Sequence, residues 1–287
     1  MSETFVSDEL AACNFMQTRE ILHQRRDCLQ CGRPMVLKPR KIRKDARWRC
    51  NGARCYKELS PKTGTWFQGC QLPIRILLLF IQAWSEKMSS LALCKAVLNM
   101  KKSSVINLNA AMRRVAEEWL LNHLVPVGGP GLTVEVDESL FSKRKYNRGR
   151  VLPQAWVVGG VCRETDHCFL ARVADRSAAT LIAVIKENVA AGSNTVESLW
   201  SYAKQGNKAR RDTYRPKVDS YLCEFVWRRR LNREEHPFNR ILCTIAELYP
   251  PRRLFRKGSS GFTLKVNTVL SHDDFPVERP PLPIVDG

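Results

Sequence analysis

Thr133-Val134-Glu135-Val136-Asp137-Glu138-Ser139 is the stretch on which the fold turns. A strand's period of two sets Glu135 and Asp137 on one face and Val134 and Val136 on the other. Just before it, Gly128, Gly129, Pro130 and Gly131 end the helical spacing that precedes them. Beyond it, residues 155–161 and 168–173 are again rich in strand formers, and segments 144–152 and 163–166 suit hairpin connections. Residues 177–190 then return to helical spacing, with Leu181, Ile182, Ile185 and Val189 on one side. Three strands followed by a helix predict an α/β core with an antiparallel sheet. Asp137 is expected at the end of its strand, where a carboxylate beside basic residues could hold Mg²⁺ for phosphoryl transfer. Such a site needs several oxygens from separate elements, and a lone carboxylate at a strand end is more often solvated.

Upstream, residues 72–85 fit one helix, with Pro73 placed where its missing N–H costs little. A second helix covers residues 91–98. A third, with Ser103 or Ser104 as its cap, runs through Val105, Leu108, Met112, Val115, Trp119 and Leu120. A short helix, a tight connection over residues 99–102 and a longer helix match a DNA-reading helix-turn-helix; a simple hairpin bracing the next domain has the same pattern. The chain divides into a short N-terminal segment with a helical candidate (1–24), a cysteine-bearing ribbon (25–70), a helical region (72–125) and the α/β domain (131–248). The remainder, 250–287, holds six of the fifteen prolines and is expected to be an extended, poorly ordered tail.

Four of the eleven cysteines cluster as Cys28-x2-Cys31 and Cys50-x4-Cys55, eighteen residues apart. Each close pair can offer two thiolates from one tight turn, and four thiolates surround Zn²⁺ tetrahedrally. The intervening segment, 35–48, is long enough for a β-hairpin. So small a unit buries little apolar area, so metal binding would be its folding energy. Four unrelated core cysteines are the plainer alternative, and the second gap is wider than the common two residues. The other cysteines lie singly, several in apolar runs, which is unlike a disulfide framework.

The formal net charge of +19 implies a polyanionic partner or an anionic membrane surface. The most apolar stretch, residues 74–84, is interrupted by Arg75 and Gln82 and is too short to span a bilayer. The first thirty residues carry Glu3, Asp8, Glu9 and Glu20 and lack a long apolar run, so no signal peptide is expected. Nucleic acid is therefore the expected partner. Lys38, Arg40, Lys41, Arg43, Lys44, Arg47 and Arg49 stand against one acid, Asp45, and suit DNA phosphates. Trp48 could stack on a base, but packing beneath the ribbon is the first expectation. Further basic runs include Lys143, Arg144, Lys145 and Arg148, then Lys208, Arg210 and Arg211, then Arg228 to Arg230. A shared phosphate-binding side is expected of them, with a solvated helical face as the alternative.

These motifs resemble those of the IS1595 insertion-element transposases, whose core is the ISXO2-like transposase domain. The resemblance covers about residues 25–235 and rests on the ribbon, Ser60-Pro-Lys-Thr-Gly-Thr-Trp-Phe-Gln-Gly69 and Val134-Glu-Val-Asp-Glu-Ser139. It continues through Lys143-Arg-Lys-Tyr-Asn-Arg-Gly149, Trp156-Val-Val-Gly-Gly160, Asp175-Arg-Ser-Ala-Ala-Thr180 and Asn194-Thr-Val-Glu-Ser-Leu-Trp200. The wider Cys50–Cys55 gap is more like the animal-encoded relatives. The resemblance implies an RNase H-like fold that cuts and joins double-stranded DNA with a divalent metal. Asp137 then matches the first acidic ligand and Glu197 the region of the last, with Asn194 and Ser198 beside it on an expected helix.

One departure from the family pattern bears on activity. Its members place a strand carrying the second catalytic aspartate between the core helix and the Asn-Thr-x-Glu-Ser motif. Here Ala190-Ala-Gly-Ser193 runs directly into Asn194, with no aspartate between Asp175 and Glu197. The expected core is thus a truncated RNase H-like domain, with a neighbouring strand edge exposed and an incomplete site at Asp137 and Glu197. The expected function is DNA binding without turnover by a transposase-derived protein, with metal-dependent cutting and strand transfer as the alternative. Structural Zn²⁺ is the expected cofactor, and Mg²⁺ or Mn²⁺ only if catalysis persists. Self-association is compatible with this, and the expected location is the nucleus in a eukaryote, otherwise the cytoplasm.

Overall fold

The computed structural model describes residues 8–40, 45–140, 156–197, 218–232 and 234–252. A small antiparallel sheet, ordered β1-β2-β3, is built from β1 (Met35–Arg40), β2 (Asp45–Cys50) and β3 (Glu58–Leu59). A second sheet has the order β6-β5-β4-β7. In it β4 (Thr133–Leu140), β5 (Trp156–Cys162) and β6 (Cys168–Val173) form an antiparallel meander. The short β7 (Asn194–Glu197) then pairs with β4 in parallel.

The helices begin with α1 (Glu9–Thr18), where Asp8 accepts hydrogen bonds from the N–H groups of Leu10 and Ala11. Next comes α2 (Ile74–Ser85), which starts after Pro73 and has no local side-chain cap. Its first N–H groups are satisfied from far away in sequence, because the buried Glu9 carboxylate accepts from Ile74 at 2.7 Å and Arg75 at 3.0 Å. Lys62 reinforces this entry by donating to the carbonyls of Cys70 and Leu72, so the turns at 60–70 hold Trp66 and Phe67 in the main core. Two further helices follow, α3 (Leu91–Leu98) and the long α4 (Lys102–Asn122). Neither Ser103 nor Ser104 caps α4: Lys101 stands at the cap without a side-chain bond, and both serines lie inside the first turn.

After the meander, α5 (Ala178–Asn188) crosses to β7. The chain returns with α6 (Val218–Arg229) and α7 (Pro237–Leu248), which both pack on α4. One core therefore gathers α1, α2, α4, α6 and α7 around Phe80, Trp84, Met112, Trp227 and Ile241, so the sequence intervals 72–125 and 131–248 share it.

The sheet is covered on both faces. Val134, Val136, Val158, Phe169 and Val173 pack with Leu181 and Val184 of α5, while Val157 and Leu170 meet Leu222 of α6 on the other face. Gly160 is required here, because a Cβ at that position would lie 2.5 Å from the Phe169 ring. On α5 the apolar face differs from the expected one: Ile182 is exposed, and Val184 takes the inward place beside Leu181 and Val189.

Two expectations around β4 are corrected. Asp137 lies in the middle of the strand, which continues to Leu140. Asn194 to Glu197 is a strand and not part of a helix. The edge of β4 that a missing strand would have exposed is paired with β7 from Thr133 to Val136. The turn before β7 is built for this pairing. Gly192 takes φ +80°, Ser193 Oγ accepts from the Gly129 N–H at 2.9 Å, and Asn194 N–H donates to Leu132 O. Four residues suffice as a strand because β4 supplies the ladder.

Candidate metal centre and basic face

The cysteine sulfurs are gathered by two knuckles and a hairpin. In the first knuckle the Cys28 N–H donates to Arg33 O and the Gly32 N–H to Cys28 O, with Gly32 at φ +72°. In the second, the Cys55 N–H donates to Gly52 O, and the Gly52 N–H points at Cys50 Sγ, 3.3 Å away. Because β1 and β2 pair Met35 with Cys50, the hairpin brings the knuckles together. The four Sγ atoms then all lie within 4.8 Å of one another, with 3.5 Å between Cys28 and Cys55 and 3.3 Å between Cys31 and Cys50. Tetrahedral thiolate ligands at about 2.3 Å from Zn²⁺ are about 3.8 Å apart, so the donor set fits that ion.

The electrostatics also suit a cation. Burial opposes ionisation of Cys28, yet the N–H groups of Cys31 and Gln30 and the neighbouring thiols bring it down to about 6. Cys50 has the Gly52 N–H beside it, but desolvation and the other thiols push it up to about 12. One thiolate is thus favoured, and a divalent ion at the centre would let all four form. The hairpin's inner side, Met35 and Trp48 with Leu37 and Leu59, packs beneath the cysteines. Trp48 is 4% exposed and is a structural residue.

Register places the hairpin's basic residues on its other face. Val36 pairs with Arg49, Lys38 with Arg47 and Arg40 with Asp45, so Lys38, Arg40, Arg47 and Arg49 stand together. Asp45 and Glu58 share this face. Arg40 grips Asp45 through two bonds of 2.7 and 2.5 Å and holds its carboxyl below the usual range. Arg47 reaches Asp45 at 3.3 Å and Arg49 reaches Glu58 at 2.6 Å. The face is therefore an ion-pair network with basic excess, and Lys38 is exposed. Lys41, Arg43, Lys44, Lys143, Arg144, Lys145, Arg148, Lys208, Arg210 and Arg211 lie outside the described residues.

Tyr56 was not singled out from the sequence. It is 86% exposed beside the second knuckle, between Arg54 and Lys57. An aromatic next to a ligand cysteine with basic residues close in sequence was the available signal.

The Arg228 to Arg230 run is a correction. Arg228 donates to the carbonyls of Trp84 and Ser85 at 2.7 and 3.0 Å, and Arg230 donates to those of His123 and Val125. These bonds satisfy carbonyls at and just beyond the C-termini of α2 and α4, while Arg229 pairs with Asp166. All three serve the fold.

The acidic residues do not converge among the described side chains, where the four cysteines form the one group able to hold a metal ion. Asp137 Oδ1 accepts from the Glu138 N–H at 2.7 Å. Glu135 pairs with Arg163, and Glu138 with Arg176, which also lies over Trp156. Asp175 accepts from the Ser177 N–H ahead of α5, and the Ser177 hydroxyl and N–H keep its carboxyl below the usual range. Glu197 stands in register with Val136, next along β4 to Asp137, and its side chain lies outside the described residues.

Comparison of the chain with protein-family models, with curated proteins and with solved structures found no match. Fold and site together define a class: a four-cysteine ribbon, fit to hold a metal ion, carried on a mixed α/β body. None of its described helices is long and apolar enough to cross a membrane.

Proposed function

We propose that this chain is a transposase-derived protein that binds double-stranded DNA through its zinc ribbon, without catalytic turnover. The observation that carries this reading is the hairpin itself. It holds four thiols at metal-ligand spacing at one end and turns Lys38, Arg40, Arg47 and Arg49 to one face, in a chain of net charge +19. Zinc would act structurally, fixing the knuckles so that the basic face keeps its shape.

The sheet order β6-β5-β4-β7, with β7 parallel to β4 after a helical crossover, supports an RNase H-like origin of the body. Lack of turnover is supported by the ion-paired neighbours of Asp137 and by the Asp175 carboxylate accepting from the Ser177 N–H. Two-metal chemistry needs oxygens converging from separate elements, with metals about 4 Å apart.

The test is duplex binding over a range of salt, with Mg²⁺ or Mn²⁺ added in a parallel cleavage assay. Lys38→Ala with Arg47→Ala should lower the slope of log affinity against log salt by about 2, since each phosphate contact contributes about 0.9. No cleavage should be seen. A salt slope unchanged by the double substitution, or cleavage that Asp137→Ala abolishes, would overturn the corresponding half of the reading.

A further inference from the structure

The DNA-binding reading leaves open how sequence is read, and α4 offers an answer that rests on that reading. We infer that the exposed face of its first turns enters the major groove of duplex DNA and reads A·T base pairs, with Asn107 as the base-reading side chain.

The geometry begins with a locked turn. Asn99, left-handed at φ 48°, ends α3, and both its N–H and that of Met100 donate to Cys94 O. Cys94 and Met100 are both buried. At the other end of α3, Asn109 on α4 donates to Ser89 O at 3.1 Å and accepts from Ser89 Oγ at 2.8 Å. Thus α3 closes on its own cap at its end, and the residue before its start is fastened to α4. Val105, Leu108 and Met112 fix α4 on the body, which leaves Ser103, Ile106, Asn107 and Ala110 exposed in one row.

Charge identifies the partner. From Lys87 to Ala116 there is no aspartate or glutamate, although the whole chain has 28. The same segment carries Lys87, Lys95, Lys101, Lys102, Arg113 and Arg114. Arg113 is turned inward onto Tyr221 and Ser220, while Lys87, Lys95, Lys101 and Lys102 are exposed. A merely solvated helix face would be interleaved with acids in i, i+4 pairs. This one complements a polyanion.

The exposed row fits a groove more closely than a protein surface, since it has none of the aromatic or arginine anchors that dominate protein interfaces. The major groove of B-DNA, about 12 Å wide, admits an α-helix; that of A-form RNA does not. Within the groove, asparagine can pair bidentately with adenine N6 and N7, and the methyl groups of Ile106 and Ala110 suit the thymine methyl. Lysines at the helix start and on α3 would flank the groove as phosphate contacts.

The experiment uses the full zinc-loaded chain and a pool of random-sequence duplexes. Repeated selection should enrich a site containing A·T pairs, preferred over a scrambled duplex. Asn107→Ala should reduce that preference about tenfold, a typical loss for one bidentate base contact. Its salt slope and thermal midpoint should stay at wild-type values, because the side chain is exposed. Replacing adenine by 7-deazaadenine in the selected site should produce the same loss with the wild-type chain, and Asn107→Gln should restore part of the preference.

Salt-dependent binding without sequence preference, undiminished discrimination by Asn107→Ala, or tighter binding of duplex RNA would overturn the α4 assignment while leaving the ribbon's role intact. Absence of salt-dependent affinity for any duplex would instead remove the DNA-binding reading on which it rests.

Discussion

Replacing Cys28 and Cys31 together by serine should abolish zinc binding and unfold the ribbon while the helical body remains folded. Residues 28–59 have a small apolar cluster of their own, with Met35 and Trp48 beside the cysteines and Leu37 and Leu59 at its margin. A short three-stranded sheet over so few side chains is marginal without a staple. Structural zinc supplies apparent binding energies of about 10–16 kcal/mol at neutral pH. Removing two of four ligands should therefore take metal content from about one ion per chain to none. Amide protection should fall across the hairpin, and Trp48, now buried, should become accessible to solvent quenchers. Protection in α2, α4 and α7 should persist, because their core lies around Trp84, Trp227 and Ile241. Retained zinc, or amides in the body lost together with those of the ribbon, would contradict this division.

The second large effect is expected at Trp227. Its ring is fully buried 5.6 Å from that of Trp84, where α6 meets α2, and the next residue, Arg228, stacks on Trp84 at 4.2 Å. Truncating a buried tryptophan to alanine removes its burial energy and leaves a cavity, typically a loss of about 3–5 kcal/mol. In a chain of this size that corresponds to a fall in thermal midpoint of roughly 10 °C. Ile182→Ala, on the exposed side of α5, should change stability by less than about 0.5 kcal/mol. Calorimetry on the two variants separates them, and equal midpoints would mean that the junction of α6 with α2 is not organised around Trp227.

Much of this architecture was legible because local pattern and tertiary role agree. Alternation marked β4, β-branched and aromatic runs marked β5 and β6, and α3 has the bounds its spacing predicts. The cysteine spacing likewise gave the knuckles and the hairpin between them, and the four sulfurs converge as metal ligands require. Where the pattern misled, the deciding partner was distant. Thr195 and Val196 are strand formers, but four residues are too few to specify a strand; the extended state is fixed by pairing with β4 sixty residues earlier. On α5, apolar residues occur on two adjacent stripes, so spacing alone could not choose Val184 over Ile182.

Arg228 and Arg230 looked like phosphate ligands because a sequence shows charge but not the carbonyls that consume it. Asp45 similarly neutralises part of the basic face it sits in. The local signal for α7 is plain: His236 accepts from the Phe238 N–H ahead of Pro237, and Phe238, Ile241, Leu242 and Ile245 recur at helical spacing.

The central claim is that a metal-organised ribbon presents the DNA-binding face. It is tested most directly by adding zinc back to the metal-stripped chain while zinc uptake and affinity for duplex DNA are recorded on the same samples. Affinity and its salt dependence should rise together with uptake and level off at about one ion per chain. Full affinity before any zinc is bound, or zinc uptake that leaves affinity unchanged, would contradict the claim.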